Sequence, residues 1–512
     1  MECLINCIFF LFNFLFNFFI IVLYKMNSSN MMTDQLPSVL QTNATDENQS
    51  SQIESVIQEA DNHSWVANRF GKSKWVVAKK GSALATDGML LWKTKWASYA
   101  GATDRYCSFV RTCGGVNLIK NCRLYVGGRL VSETREVGQK MALDNSFIPY
   151  DARCEILDEK LNGNHKYYYD VNGLLHLADD KTHAQVGFRS PTADESATLE
   201  CAVRLDELFP VLKDTMLPST LNGEIIVELD WEGVWSEVMV ESGQTAFTAT
   251  ERSFEVIRPR LHLDYITFAD EVANALTAQI NSPEGMTIPY RQQVLVSANL
   301  PSIVNDVVTR DDIELGFSGR SVMKVYVQKV SNHVNPLLCN SRSDGLLQEN
   351  LQLVVNNRNL FDRDVNQVSE MYSYLGQTAD KPAYLLCGSY NQVGQFGANN
   401  IMANGVNGPQ IGGAVALAES AVVQNNLQGR QRYLGINLAK VRGNGNDTPA
   451  NSIQVGEAPM VLRLGHSSAS GGTNETNLNN SAESRGAVHL NVWVECVKAL
   501  IIRNGVLDTI NM

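Results

Sequence analysis

Residues 259–271 read PRLHLDYITFADE and lie near the middle of a chain of 512 residues. The part over 259–268 is rich in β-branched and aromatic side chains, which predicts a strand. The apolar residues then recur every four positions, which predicts a helix over 268–280. The segment LHLDY at 261–265 recurs near the end of the chain as VHLNV at 488–492. This recurrence is the first sign of an internal repeat.

Three further pairs of segments recur in the same order, and the offsets of all four pairs lie between 227 and 235 residues. In the first of the three, the double turns Gly127-Gly128 and Asn356-Asn357 suit the positive φ angles of a tight hairpin. Together the pairs predict a duplicated β-domain with its junction at 255–260; chance similarity between short apolar strands is the alternative. The three pairs are 124–130 with 354–360, 201–205 with 434–438, and 225–229 with 460–464.

Short apolar runs separated by Gly, Asn, Asp and Pro turns dominate from residue 64 onward, so the fold class is predicted to be all-β. Few helices are expected. The helix over 268–280 has a potential capping box in Thr267 and Asp270, and a weaker helix is predicted over 52–59. Two Gly- and Asn-rich stretches predict long surface loops; they are 388–429 and 467–485. Further strands are predicted over 121–126, 224–230, 321–330, 351–355 and 488–497.

The domain prediction has four parts. Residues 1–25 form an apolar segment, 26–63 a flexible polar arm, 64–257 the first β-domain and 258–512 the second. Three interpretations of 1–25 stay open. The segment lies upstream of a true start at Met26, Met31 or Met32, it is a membrane anchor, or it is a signal peptide. The signal peptide is the weakest of these, since a basic n-region and a small-residue cleavage site are missing.

The net charge of −12 and the isoelectric point near 5.3 argue against broad nucleic-acid binding, which needs clustered Lys and Arg. The ten cysteines include no CxxC motif and no zinc-binding spacing. Cys122, Cys201 and Cys496 lie in apolar runs. Reduced thiols in the core are therefore expected, which points to assembly in the cytosol or nucleus.

No constellation for catalysis, metal binding or cofactor binding is predicted. A phosphate loop and a GxSxG elbow are missing, and the eight histidines are isolated. His262 and His489 fall on equivalent predicted strands. They are interpreted either as a pH-sensing pair or as histidines near a barrel end whose hydrogen bonds are satisfied. Two roles are considered for the tryptophans: stacking on sugars, or filling cores and subunit interfaces. The second role is the commoner one in proteins. The sequence does not fix the distances between the acidic residues that would be needed for a glycosidase pair. These residues are Asp158, Glu159, Asp170, Asp179 and Asp180.

The order of the motifs resembles that of double jelly-roll major capsid proteins of double-stranded DNA viruses. The hairpin over 117–131 is similar to the family's early hairpin, and 261–271 is similar to the strand and acidic helix start between its barrels. The segments 205–229 and 488–502 resemble later parts of the family pattern. The likeness spans about residues 65–512. The turn at 127–129 lacks the Gln and Asp that often follow it, and shorter members from Polinton-like viruses, adintoviruses and virophages are nearer than giant-virus forms.

The resemblance implies two tandem jelly-roll β-barrels and a homotrimer whose six barrels form a pseudo-hexagonal capsomer of an icosahedral shell. It implies contacts between capsomers, penton and minor capsid proteins as partners, location in the virion, and no enzyme activity or cofactor. Direct sequence-specific nucleic-acid binding is not expected. The relation to a membrane stays open. The alternative function is that of a carbohydrate- or receptor-binding β-sandwich surface protein.

Overall fold

The computed structural model describes the strands of both halves of the chain and a few helices. The apolar segment 1–25, residues 26–49 of the predicted arm, and the predicted loops 388–429 and 467–485 lie outside the described residues. Among the described helices, none combines the length and apolar composition that crossing a membrane requires. The described residues are 50–66, 69–84, 88–96, 105–109, 114–145, 167–169, 175–177, 188–189, 198–213, 216–243, 252–300, 309–331, 348–365, 368–378, 433–439, 451–466 and 488–512.

The first half is built from short antiparallel strands. Its helices are α1 (Val137–Asn145), α2 (Leu205–Leu208) and α3 (Trp235–Val238). The strands are β1 (Ser50–Glu59), β2 (Asn62–Ser64), β3 (Gly71–Val77), β4 (Ala83–Leu84), β5 (Met89–Trp96), β6 (Arg105–Phe109), β7 (Ile119–Val126), β8 (Arg129–Arg135), β9 (Tyr167–Tyr169), β10 (Leu175–Leu177), β11 (Phe188–Arg189), β12 (Thr198–Arg204), β13 (Leu217–Pro218), β14 (Ile225–Trp231), β15 (Met239–Gly243) and β16 (Phe254–Phe268).

The second half follows a helix, α4 (Asp270–Asn281), and contains one further helix among the described residues, α5 (Val368–Thr378). Its strands include two of the longest in the chain, β17 and β25. The strands are β17 (Met286–Leu300), β18 (Thr309–Gly316), β19 (Ser321–Ser331), β20 (Gln348–Val355), β21 (Arg358–Asn359), β22 (Tyr433–Asn437), β23 (Ile453–Gln454), β24 (Met460–His466), β25 (Val488–Arg503) and β26 (Val506–Asn511).

The two halves share one strand order. In the first half, one sheet runs β1-β16-β5-β12 and the other β3-β14-β7-β8. In the second half, the matching sheets run β17-β25-β19-β22 and β18-β24-β20-β21. Each half therefore contains a pair of four-stranded sheets joined in the jelly-roll order, with a few short strands added to them. In the first half, β10-β9 and β11-β6-β15 form two further small sheets. The predicted all-β double jelly-roll and its duplication are confirmed, and all four recurring segments fall on equivalent strands.

The two predicted hairpin turns adopt the same backbone conformation. Gly127 and Gly128 have φ angles of 57° and 78°, and Asn356 and Asn357 have φ angles of 53° and 60°. Positive φ at both central residues is the signature of a type I′ turn, which matches the twist of the flanking strands. Gly and Asn are the residues that adopt this conformation at least cost, so these turns were predictable locally.

The helix predicted over 52–59 is wrong, because these residues lie in strand β1. This strand pairs antiparallel with β16, with Val56 opposite Leu263, and Val56 packs against the first core. The same contact overturns the prediction of a flexible arm for residues 50–59, which are part of the arm predicted over 26–63. The free edge of β16 supplies backbone hydrogen-bond partners that a short isolated helix could not match.

The helix predicted over 268–280 is confirmed as α4, but its predicted capping box is wrong. The N-cap residue is Ala269, and no side chain forms a cap hydrogen bond. Leu276 and Ile280 are the buried residues of the predicted apolar face. Asp270 and Glu271 lie in the first turn, where negative charge favours the helix dipole without a cap.

The strand β16 belongs to the first half along its whole length. Residues 254–262 pair with β5, and residues 260–268 pair with β1. The predicted domain boundary between 257 and 258 falls inside this strand. We therefore propose that the two halves meet after β16, at helix α4.

The core of the first half is completed by residues from the second half. The first core cluster contains Trp75, Trp92 and Trp231 together with side chains of β17, β25 and β26. The long strands β17 and β25, with the short strand β26 that pairs with β25, add apolar side chains to the core of the first barrel. The contributing residues are Met286, Ile288, Tyr290, Leu500, Ile502 and Leu507.

Candidate functional site

The histidines whose side chains the structure describes, His63, His262 and His489, give no sign of a metal site. In the described residues, no group of three or more His, Cys, Asp or Glu side chains could hold a metal ion. His262 and His489 lie on the equivalent strands β16 and β25, but only His489 hydrogen bonds to an asparagine, Asn299, at 2.7 Å. His63 hydrogen bonds to a serine hydroxyl and a backbone carbonyl. The side chains of His165, His176, His183, His333 and His466 lie outside the described part.

The tryptophans whose side chains the structure describes, all except Trp96, fill cores and do not form an exposed platform for sugars. Trp92 and Trp231 pack with ring centroids 5.5 Å apart, and the Trp231 indole donates to Ser73 Oγ at 2.7 Å. Trp65 is half-buried against Phe254. The tryptophans with at most 3% of their surface exposed are Trp75, Trp92, Trp231, Trp235 and Trp493. These five buried tryptophans are therefore not available to stack on sugars.

The acidic residues considered for a glycosidase pair lie outside the described residues. Among the buried charged groups that the structure describes, Lys140, Glu232 and Glu495 form ion pairs within their own half of the chain. The five acids are Asp158, Glu159, Asp170, Asp179 and Asp180.

Three cysteines are buried free thiols, as predicted: Cys122, Cys201 and Cys496. Burial raises the pKa of the Cys122 thiol to about 12 and also raises the pKa of Cys201 and Cys496. A thiol with a raised pKa carries little thiolate at neutral pH, and the thiolate is the reactive form. These groups are structural and unsuited to nucleophilic chemistry.

We expect these three thiols to resist alkylation in the folded protein. Iodoacetamide labelling followed by peptide mass spectrometry should find Cys122, Cys201 and Cys496 unmodified in native protein and modified in guanidinium chloride. The denatured sample is the control for intrinsic reactivity. Equal labelling of Cys122 in both samples would contradict its burial.

Among the residues that the structure describes, the contact between the two barrels is the best-defined candidate site. Leu143, on helix α1 of the first half, packs against Tyr326 and Trp493 of the second half, and Leu375 and Leu295 complete the cluster. Trp493 is 1% exposed and Tyr326 is 6% exposed. On the outer face of the second half's β17-β25-β19 sheet, this row of side chains is therefore covered by Leu143 of the first half and by Leu375 of α5.

Hydrogen bonds from the second half to the first accompany this packing. The Tyr290 hydroxyl donates to Val131 O at 2.7 Å, and Gln292 Nε2 donates to Glu133 O at 3.0 Å. Both acceptors are backbone carbonyls of β8, at the edge of the first half's second sheet. Such side-chain contacts set the register of one barrel against the other.

A further hydrogen bond lies deeper in this contact. Asn491, which is 1% exposed, donates through Nδ2 to Oε1 of Gln139 on α1. Because a buried amide without a partner is costly, the pair favours one relative position of the barrels. Sequence reasoning missed all of these residues, since no local pattern links positions so far apart.

A crevice of about 310 Å³ lies beside this contact, lined from both halves. Arg291 pairs with Glu495 at 3.3 Å, and Lys140 pairs with Asp144 at 2.7 Å and donates to Glu207 O at 3.1 Å. Burial acts to lower the pKa of Lys140, but the attraction and hydrogen bond of Asp144 outweigh it, so the pKa is raised. Four cations and four carboxylates line the crevice, and this balance favours no charged ligand.

Among the comparisons with known proteins, only the comparison with solved structures found matches. The sequence matches no protein-family model and no curated protein. Among solved structures, the PBCV-1 virus capsid aligns with a TM-score of 0.54 at 11% identity, covering 90% of this chain and 97% of that chain. PBCV-1 VP54, fitted into a reconstruction of the virophage Sputnik, aligns with a TM-score of 0.53 at 10% identity and the same coverage.

This chain has the double jelly-roll fold of viral major capsid proteins. The alignment runs over both barrels, since it covers 90% of the chain. At this level of identity, the double jelly-roll likeness is a likeness of fold.

Proposed function

We propose that the protein is the major capsid protein of a double-stranded DNA virus. In this proposal it trimerises into pseudo-hexagonal capsomers that tile an icosahedral shell. The carrying observation is the double jelly-roll itself, two barrels of one strand order in a single chain. Three such chains supply six similar barrels around one axis, an arrangement that closes and can tile a shell.

The wider proposal follows from the same fold. The protein acts in the virion, after assembly in the host cytoplasm or nucleus, and binds its own copies, penton proteins and minor capsid proteins. In this proposal it is not an enzyme and uses no cofactor. Its net charge of −12 argues against direct binding to the viral DNA. The protein acts by burying surface at the interfaces between subunits, and not by catalysing a reaction.

We expect the protein expressed from Met26 or from Met32 to form trimers. Electron microscopy of the purified protein should show particles with a pseudo-sixfold outline, or closed shells, and sedimentation should give the mass of three chains. Both starts are suitable because they remove at most residues 1–31, which precede the first described strand, β1 (Ser50–Glu59). A stable monomer at all concentrations would overturn the proposed function.

The alternative, a carbohydrate- or receptor-binding surface protein, has lost support with the burial of the tryptophans. Binding of the purified monomer to a glycan array, with no trimer present, would restore it. Glycan binding by a trimer would add a property to the capsid function without replacing it.

A further inference from the structure

Two Asn-Gly dipeptides meet where the end of the chain packs on the first half. Asn504 and Gly505 form the turn between β25 and β26, and Asn222 and Gly223 lie shortly before β14. The Asn222 N–H donates to Gly505 O at 3.0 Å. The two dipeptides are therefore in direct contact, and they can be compared as a matched pair.

An asparagine that precedes a glycine can lose its side-chain amide without an enzyme. The glycine nitrogen attacks the asparagine Cγ, the Cγ–Nδ2 bond breaks, and the proton of the glycine N–H leaves with Nδ2 as ammonia. The product is a five-membered cyclic imide, and water opens one of its two C–N bonds. Opening gives aspartate, or isoaspartate, in which the main chain runs through Cγ and gains one carbon atom. Glycine favours the attack because it has no side chain that obstructs its nitrogen.

The attacking nitrogen is held at one dipeptide and free at the other. Gly505 is buried, and its N–H donates to Ile280 O of α4 at 2.9 Å. Gly223 is exposed, and its N–H donates no hydrogen bond to a group that the structure describes. Attack by the Gly505 nitrogen must therefore wait until a hydrogen bond breaks and a packed turn opens, whereas attack by the Gly223 nitrogen needs neither step.

The side chain that reacts is accessible at both positions. Asn222 and Asn504 are exposed, so water reaches either imide. Within the described part of the chain, the Asn222 side chain forms no hydrogen bond that would hold its Cγ away from the Gly223 nitrogen. The difference between the two dipeptides thus lies in the glycine nitrogen.

We propose that Asn222 is a site of spontaneous deamidation in the folded protein, with water as the co-reactant, and that the equivalent Asn504 is protected by its turn. The inference is independent of the proposed function, since it depends only on the local contacts of the two dipeptides.

Deamidation at this position reaches the contact between the two halves of the chain. Gly223 has a φ angle of 89°, and a Cβ atom added to it would lie 2.4 Å from Gly127 Cα. The additional main-chain carbon of an isoaspartate at position 222 therefore pushes Gly223 against the turn at Gly127, or moves the N–H of position 222 away from Gly505 O. Either shift weakens the packing of the β25-β26 hairpin on the first half.

Peptide mass spectrometry after incubation at mildly alkaline pH tests the site. In the native full chain, aspartate and isoaspartate should accumulate at position 222 at least roughly tenfold faster than at position 504, the factor that one hydrogen bond supplies. In guanidinium chloride the two positions should react at similar rates, because both asparagines precede glycine. A methyltransferase specific for isoaspartate distinguishes the two products.

Two results of this experiment would overturn the inference. The first is a native chain in which positions 222 and 504 react equally fast. The second is a position 222 that stays intact in the native chain over a period in which the denatured chain reacts.

The variant Asn222→Gln tests the effect on the contact between the halves. Glutamine cannot form the five-membered imide, and the exposed position keeps its backbone N–H, so the fresh variant should melt like the wild type. After the incubation, the melting temperature of the wild type should fall further than that of the variant. Equal falls in the two proteins would contradict a role of position 222 in this contact. The Asn-Gly dipeptides outside the described residues are common to both proteins and give the background; they begin at Asn162, Asn172, Asn404, Asn407 and Asn444.

Discussion

Residues 26–269, expressed without the rest of the chain, are expected not to form a stable barrel. Six apolar side chains of the first core belong to β17, β25 and β26. Burying each contributes about 1.5–3 kcal/mol, so their loss removes on the order of 10 kcal/mol. A domain is stable by only about 5–15 kcal/mol. Circular dichroism and a urea titration should show no cooperative unfolding transition.

The control for this fragment is its complement. Co-expression with residues 270–512 should restore a soluble complex that unfolds cooperatively, because the missing side chains return. A fragment 26–269 that unfolds cooperatively on its own would show that the first barrel does not need the second half. The core contacts of Leu500, Ile502 and Leu507 would then be marginal for stability.

The elements predicted correctly from sequence are those whose conformation depends on neighbouring residues. Strands β7, β14 and β19 follow apolar runs, and the turns at Gly127-Gly128 and Asn356-Asn357 use residues that accept positive φ. The repeat was detectable for the same reason, since equivalent strands keep similar apolar patterns at similar spacing. Each strand or turn pattern is contained in a segment of about ten residues, so it can be recognised without knowledge of the tertiary contacts.

Strand β1 shows what local patterns leave out. Residues 52–59 carry few apolar side chains and were compatible with a helix, but their conformation is set by the edge of β16, about 200 residues away. Tertiary contacts commonly override weak propensity in this way. The boundary at 257/258 was placed inside β16 because nothing local marks where one barrel's strands end.

The contact between the barrels was beyond sequence reasoning. Leu143 and Trp493 are far apart in the chain, and each sits in a segment whose pattern predicts only a buried side chain. Trp493 lies on the outer face of β25, where an alternating strand would carry a polar residue. A large aromatic residue at an outward position is the local signal that could have indicated a covered face.

Replacement of this residue, Trp493→Ala, is expected to destabilise the protein by about 3–5 kcal/mol, the usual cost of removing a buried tryptophan. Trp493 is 1% exposed and packs against Leu143 across the barrel contact. The cavity would open between the β17-β25-β19 sheet and the helices α1 and α5, which cannot close on it without moving a barrel. Differential scanning calorimetry should show a melting temperature lower by several degrees.

Two variants separate packing from other effects of this substitution. Trp493→Phe should cost much less, since it keeps an aromatic ring and the Trp493 indole N–H has no hydrogen-bond partner among the described residues. Leu143→Ala combined with Trp493→Ala should cost less than the sum of the single variants, by about 0.5–3 kcal/mol, because the residues are in contact. Strict additivity would contradict the contact. The barrels would then be joined chiefly by the hydrogen bonds of Tyr290, Gln292 and Asn491, whose removal would carry the larger cost.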